Sequence, residues 1–243
     1  MNTAMTTLRA ACAGRRGVLL AAVALSVLAT AAACSQGGKQ LISRGVSCSD
    51  KQIILDTHNR LRQSVALGRV AGQPGAANMM EMTWDEELAS VAQRWADSCL
   101  PGHDHSRHVS RFYVGQNIAT SWTYPRPNAL GGTPEFAKQI SNWFNEVRSY
   151  SFRSSSAATG HYSQLVWGDS HLVGCGYAYY HDQSRGYTKV YVCNYGPGGN
   201  VAGTAPYATG APACPRYGTK PSSKYPGLCS THGYYSGNIA CYG

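Results

Sequence analysis

The sequence predicts an α+β or α/β/α layered domain in which three helices precede a short sheet and a loop-rich tail follows. Three observations point there. Three early segments space their apolar residues as helices do. Two later segments rich in Tyr and Val flank a turn sequence. After Tyr195 the apolar period gives way to Gly, Pro, Ser, Thr and Tyr. A run of helices followed by a run of strands is the element order of a layered α+β domain.

The first helix is predicted from Ser49. Ile54, His58, Leu61 and Val65 recur at i, i+4, i+7 and i+11, one stripe of a helix. Ser49 or Asp50 caps its start, and Gly68 with the Gly72–Gly75 stretch ends it. The second helix is predicted from Thr83, because Thr83 followed by Glu86 reads as a capping box. Leu88, Val91, Ala92 and Trp95 form its apolar face. The third is predicted from Thr133, with Pro134 at the first helical position, where a missing N–H costs nothing. Phe136, Ile140, Trp143, Phe144 and Val147 line it.

Strands are predicted next. His161 to Trp167 alternates, which puts His161, Ser163, Leu165 and Trp167 on one face. Gly174–Tyr180 and Tyr187–Tyr195 flank the turn sequence His-Asp-Gln-Ser-Arg-Gly. In a hairpin centred on Ser184, opposed residue numbers sum to 368, so Tyr177 faces Tyr191 and Cys175 faces Cys193. Directly opposed antiparallel Cα atoms lie about 4.5–5.5 Å apart, within disulfide reach. A cross-strand cystine is therefore expected. Beyond the sheet, Cys214, Cys229 and Cys241 punctuate a tail that holds no second core.

The N-terminus reads as an export signal. Arg9, Arg15 and Arg16 precede an uncharged run from Val18 to Ala33, and no acidic residue occurs before Asp50. A basic start, an apolar stretch and small residues make a signal peptide over 1–33. The run is shorter than the roughly 20 residues that span a bilayer, and no second long apolar run follows, so stable membrane insertion is not expected. The alternative is a lipid anchor on Cys34, which directly follows Ala31–Ala33. Residues 34–47 read as a linker, 48–200 as the folded domain and 201–243 as the cysteine-containing tail. Without the three signal arginines, Lys+Arg falls from 21 to 18 against 12 Asp+Glu, a net charge of +6. There is no dense Lys/Arg run and no nucleic-acid motif, so a nucleic-acid partner is not expected. Outside the signal, Cys34, Cys48, Cys99, Cys175, Cys193, Cys214, Cys229 and Cys241 are an even set, as an oxidising compartment allows. None has the paired spacing of a structural zinc site.

Candidate chemistry lies in four segments: Gly102–His105, Gly115–Ala119, Glu146 on the third helix, and Gly160–Trp167. Two histidines and a carboxylate from separate elements are a ligand set for a divalent cation such as zinc. A strand histidine that is merely hydrogen-bonded in the core is the alternative.

GHYSQLVW (Gly160–Trp167), VCNYGPGGN (Val192–Asn200) and GQNIA (Gly115–Ala119) resemble signatures of the CAP superfamily: the cysteine-rich secretory, antigen 5 and pathogenesis-related-1 proteins. LDTHNRLR (Leu55–Arg62) and WADSC (Trp95–Cys99), followed by GHD, match as well. The resemblance covers Cys48 to Asn200 and is strongest to antigen 5 and venom-allergen-like proteins of arthropods. The segment from Cys214 to Cys229 is similar to the short cysteine hinge of some of them. The resemblance implies an α-β-α sandwich with a central groove that binds a divalent cation, zinc, weakly. It assigns His103, Glu146 and His161 as ligands, with Gln116 where many relatives have Glu, and leaves His105 and His108 as bystanders. Gln brings no charge, so affinity should be lower than at a two-Glu site. Asn117 and Ser163 would line the groove. The implied bridges are Cys48–Cys99, Cys175–Cys193 and Cys214–Cys229, leaving Cys34 with Cys241. Ser106 stands where insect relatives often have a cysteine.

The implied function is that of an exported, extracellular binding or effector protein whose partners are a sterol or lipid, or a host or target protein. The alternative is a hydrolase with His161 or His103 as base, Glu146 orienting it, and Ser163 or a metal-bound water as nucleophile. No Gly-x-Ser-x-Gly elbow supports the second reading. A third reading has the Tyr-rich tail, with Tyr225, Tyr234 and Tyr235, stacking on a partner.

Overall fold

The computed structural model describes residues 34, 38–124, 131–153 and 156–231. The signal region, Cys241, Tyr234 and Tyr235 lie outside the described residues. The elements run β1 (Lys39–Arg44), α1 (Cys48–Ala66), β2 (Thr83–Trp84), α2 (Glu86–Ser98), β3 (Gly115–Thr123), α3 (Phe136–Asn145), α4 (Gly160–Leu165), β4 (Leu172–Asp182) and β5 (Gly186–Gly196). A 3₁₀ turn, Glu146–Ser149, follows α3, and β6 (Lys220–Pro221) and β7 (Cys229–Ser230) pair in the tail. The main sheet has the order β1-β4-β5-β3, with β2 parallel to β4.

The fold is the expected three-layer sandwich. Alternation along β4 and β5 sends Cys175, Tyr177, Tyr191, Cys193 and Tyr195 to one face, where they pack with Ile54 and Val65 of α1, Phe136 and Ile140 of α3, and Tyr162 of α4. Ala178, Val190 and Val192 face the other way, onto Ala92 and Ala96 of α2. That helix lies very close to β4. A Cβ on Gly174 or Gly176 would come within 2.1 or 2.4 Å of its backbone, so both positions need glycine. The hairpin register pairs Cys175 with Cys193 and Tyr177 with Tyr191, and the cystine Cys175–Cys193 is formed.

Several boundaries depart from the sequence reading. The capping box of α1 is Ser47 with Asp50, not a Ser49 or Asp50 cap. Helix α2 is capped by Asp85, whose side chain accepts from the Leu88 N–H; Thr83 is diverted into β2, where it pairs with Leu172. Helix α3 begins at Phe136, after Glu135, and the Thr133–Pro134 start is not used. Residues 34–47, read as a linker, supply the edge strand β1. The tail is no separate appendage, since Tyr207, Tyr225 and Leu228 join the main core. Tyr225 is buried and its hydroxyl bonds Asp56 Oδ1 at 3.0 Å, so it presents no stacking surface.

The bridges also differ. Cys99 pairs with Cys34, not Cys48, whereas Cys214 pairs with Cys229 as the resemblance implied. Cys48 is disulfide-bonded too. The physical reason lies in α2, whose last turn delivers Cys99 to the face where Cys34 packs with Ala92 and Ala96. The same bond engages the Cys34 sulfur, leaving it no valence for a lipid anchor.

Arg62 of α1 ties the layers to the loop after α4. It is fully buried, yet donates to the carbonyls of Met80, Leu165, Trp167, Gly168 and Ser170 at 2.7–3.3 Å. Burial lowers its pKa to about 9.

Candidate functional site

Edge strand β3 organises the site. Its residues alternate between layers, so Gln116 faces the α2 side and Asn117 the side of α1, α3 and α4. Each holds one of the two histidines that the sequence singled out.

His103 follows α2. Its Nδ1 lies 2.9 Å from Gln116 Oε1, which also accepts the Asp104 N–H at 3.1 Å. Gln116 Nε2 donates to Asn194 Oδ1, and Asn194 Nδ2 to Leu88 O. An N–H and a carbonyl at the ends of this chain fix both amides, so Gln116 turns its oxygen to His103. The ring must therefore carry a proton on Nδ1, and Nε2 is the nitrogen that this network leaves uncommitted.

His161 is held by Glu146. One carboxylate oxygen accepts Nδ1–H at 2.7 Å; the other accepts the backbone N–H groups of His161 and Tyr162 at 3.0 Å each. Trp143 stacks on the ring at 6.0 Å between centroids. Glu146 thus caps the first turn of α4 while orienting the imidazole, and again Nε2 is the free nitrogen. On the far side, Asn117 Nδ2 donates to His161 O at 3.0 Å.

The ligand set expected from the sequence is therefore rearranged. The oxygens of Glu146 and Gln116 are spent on ring Nδ1–H and backbone N–H groups, the outer-shell role that sets a histidine's tautomer and aim. Among the described residues, no group of three or more His, Cys, Asp or Glu side chains is placed to hold a metal ion. What the arrangement leaves uncommitted is one ring nitrogen, Nε2, on each of the two histidines.

Ser163 is corrected more sharply. The segment His161–Leu165 is helical, not extended. At 100° per residue, Ser163 lies about 200° around α4 from His161. Its hydroxyl donates to Asn200 Oδ1 at 2.6 Å and borders a separate pocket of about 190 Å³ with Tyr150, Trp167 and Thr204. It is no neighbour of His161. Asn117 is not a groove wall either, being 1% exposed. His58 and Tyr195 complete Asn117's surroundings; both lie inside segments that carry the family resemblance, LDTHNRLR and VCNYGPGGN, but the sequence reading gave neither a place in the site and marked His58 only by the apolar stripe of its helix.

Residues 55–195 match the family model CAP, the cysteine-rich secretory protein family. A salivary antigen-5 from Dipetalogaster maximus is 35% identical over 219 residues, covering 88% of each chain. A venom allergen 5 from Tityus serrulatus is 38% identical over 205 residues, which are 76% of this chain and 48% of that longer one. Among solved structures, a crystal structure of NaASP2 with Zn2+ aligns with a TM-score of 0.61 and 30% identity, covering 76% of this chain and 97% of that one.

Proposed function

This chain belongs to the CAP family of cysteine-rich secretory proteins, and from that premise we propose that it is an exported binding or effector protein, without turnover, whose two histidines take a divalent cation such as zinc. One observation carries the cation reading: both imidazoles have Nδ1 committed to an acceptor, which leaves Nε2 as the nitrogen each can offer to a cation. The zinc in the NaASP2 crystal belongs to that protein, and supports the choice of probe. No described helix is long and apolar enough to cross a membrane, and the relatives' names are those of salivary and venom proteins, which supports export.

Isothermal titration of the full chain with zinc tests the site. Saturable, weak binding is expected, lost in both His103→Ala and His161→Ala. Unchanged affinity in either variant overturns the histidine pair as the ligand set. A sterol, lipid or host or target protein as the larger partner is inferred from family membership, and the absence of saturable sterol binding at matched concentrations would remove the sterol arm. No observation favours the hydrolase reading, since the Ser163 hydroxyl is turned to Asn200.

A further inference from the structure

A second line of polar contacts reaches His161 from the interior. His58, Tyr195 and Asn117 are each at most 1% exposed, and they come from α1, the interior strand β5 and the edge strand β3. His58 Nδ1 is 2.8 Å from Ile54 O and His58 Nε2 is 2.9 Å from the Tyr195 hydroxyl. Asn117 Nδ2 lies 3.3 Å from that hydroxyl and 3.0 Å from His161 O.

The direction of every bond follows from the two ends. Ile54 O only accepts, so His58 carries its proton on Nδ1 and offers Nε2 as an acceptor. Tyr195 has one proton and must give it to that nitrogen. Its oxygen then accepts from Asn117. His161 O only accepts as well, so Asn117 turns its amide nitrogen toward both partners and uses one N–H on each. Reversing any one amide or hydroxyl would set two donors or two acceptors face to face in the buried interior, at the full cost of unpaired buried groups. The chain therefore has one arrangement.

We propose that His58, Tyr195 and Asn117 are positioning residues that fix the backbone of His161 and thereby aim its imidazole. Glu146 grips His161 at its N–H and ring, while Asn117 grips the carbonyl of the same residue. With both sides of the residue held, the ring keeps its heading. His103 is anchored separately, by Gln116 on the other face of β3. The consequence for cation binding rests on the reading of the histidine pair as ligands; the positioning itself does not.

Histidine-selective 15N labelling of the full chain tests this, with ring resonances and zinc affinity read together. Tyr195→Phe deletes one hydroxyl and keeps the ring. It is expected to shift or broaden the His161 ring signals, to leave those of His103 in place, and to weaken zinc about tenfold, as loss of an outer-shell partner does. His58→Phe should reproduce the effect. His58→Gln, which keeps an acceptor for the Tyr195 hydroxyl, should restore parent behaviour. Ring signals and affinity unchanged in both Phe variants would overturn the proposal, as would equal displacement of His103 and His161, the mark of general loosening. If Tyr195→Phe does not fold, Asn117→Asp, which keeps the size and lacks the N–H donors, is read by the same criteria. A parent that binds no zinc sinks the cation reading alone, and the ring spectra still decide the positioning.

Discussion

Burial pulls the pKa of His58 down to about 4, from 6.5 in an exposed histidine. The unfolded chain therefore binds a proton at this residue between pH 6.5 and 4 that the folded chain refuses, and stability falls with pH across that window. A separation of about 2.5 units corresponds to about 3 kcal/mol, present in full above pH 6.5 and gone below 4. Urea midpoints for parent and His58→Gln between pH 7 and 4 should converge as the parent loses this increment; parallel curves would show that His58 does not titrate as described. Arg62 gives the second residue-scale expectation. Arg62→Met removes the donor to five backbone carbonyls and should cost at least about 3 kcal/mol, measured by urea unfolding at pH 7. Arg62→Lys should recover little, because one ammonium with three protons cannot reach that fan of acceptors. The sequence marked His58 as inward-facing through the spacing Ile54, His58, Leu61, Val65. It could not show Tyr195, since that partner is 137 residues away and no local pattern encodes the meeting.

At the scale of elements, the segment His161–Trp167 shows where pattern reading fails. Its alternation of larger residues fits a strand, and a helix of six residues is too short to show a 3.6 period. What makes it helical is a residue outside it: Glu146, on the 3₁₀ turn after α3, accepts two N–H groups of the first turn of α4. Glu146→Ala should therefore do two things at once. It should lower stability by about 1–2 kcal/mol through the lost cap, seen in the urea midpoint. It should also free the His161 ring from its Nδ1–H tautomer, seen as a change in its ring nitrogen shifts. A stability loss without any change at the ring would mean that Glu146 serves the helix only. Similar reasoning covers α2, where Asp85 outcompetes Thr83 for the cap because the parallel pairing of Thr83 with Leu172 already occupies that residue. The register of the β4–β5 hairpin was legible to the residue because it is arithmetic around one turn, while its strands run one or two residues further at each end, and caps and short helices depend on neighbours that only the fold brings near.

At the scale of the molecule, the layers and the bridges were legible to different degrees, and the difference has a cause. Layer order follows from periodicity, which is local. Cystine pairing among distant cysteines is a statement about three-dimensional proximity, and spacing resolved it only for Cys175 and Cys193 across their hairpin. Cys99 ends α2 against the sheet, and the residue that reaches it is Cys34, 65 positions earlier, with β1 laid along β4 in between. That bond closes a long loop and fastens the N-terminal segment to the layer that carries His103. In the chain-entropy account such a closure stabilises by about 2–4 kcal/mol, more for longer loops. The double variant Cys34→Ala with Cys99→Ala should lose that amount in urea and should leave the Cys175–Cys193 cystine intact. Peptide mapping of the unreduced parent should yield one linked fragment that contains Cys34 and Cys99. A fragment joining Cys48 to Cys99 instead would restore the pairing that the family resemblance implied. It would also return Cys34 to the partner that the resemblance leaves it, Cys241, so the same digest decides which residue the N-terminal segment is fastened to.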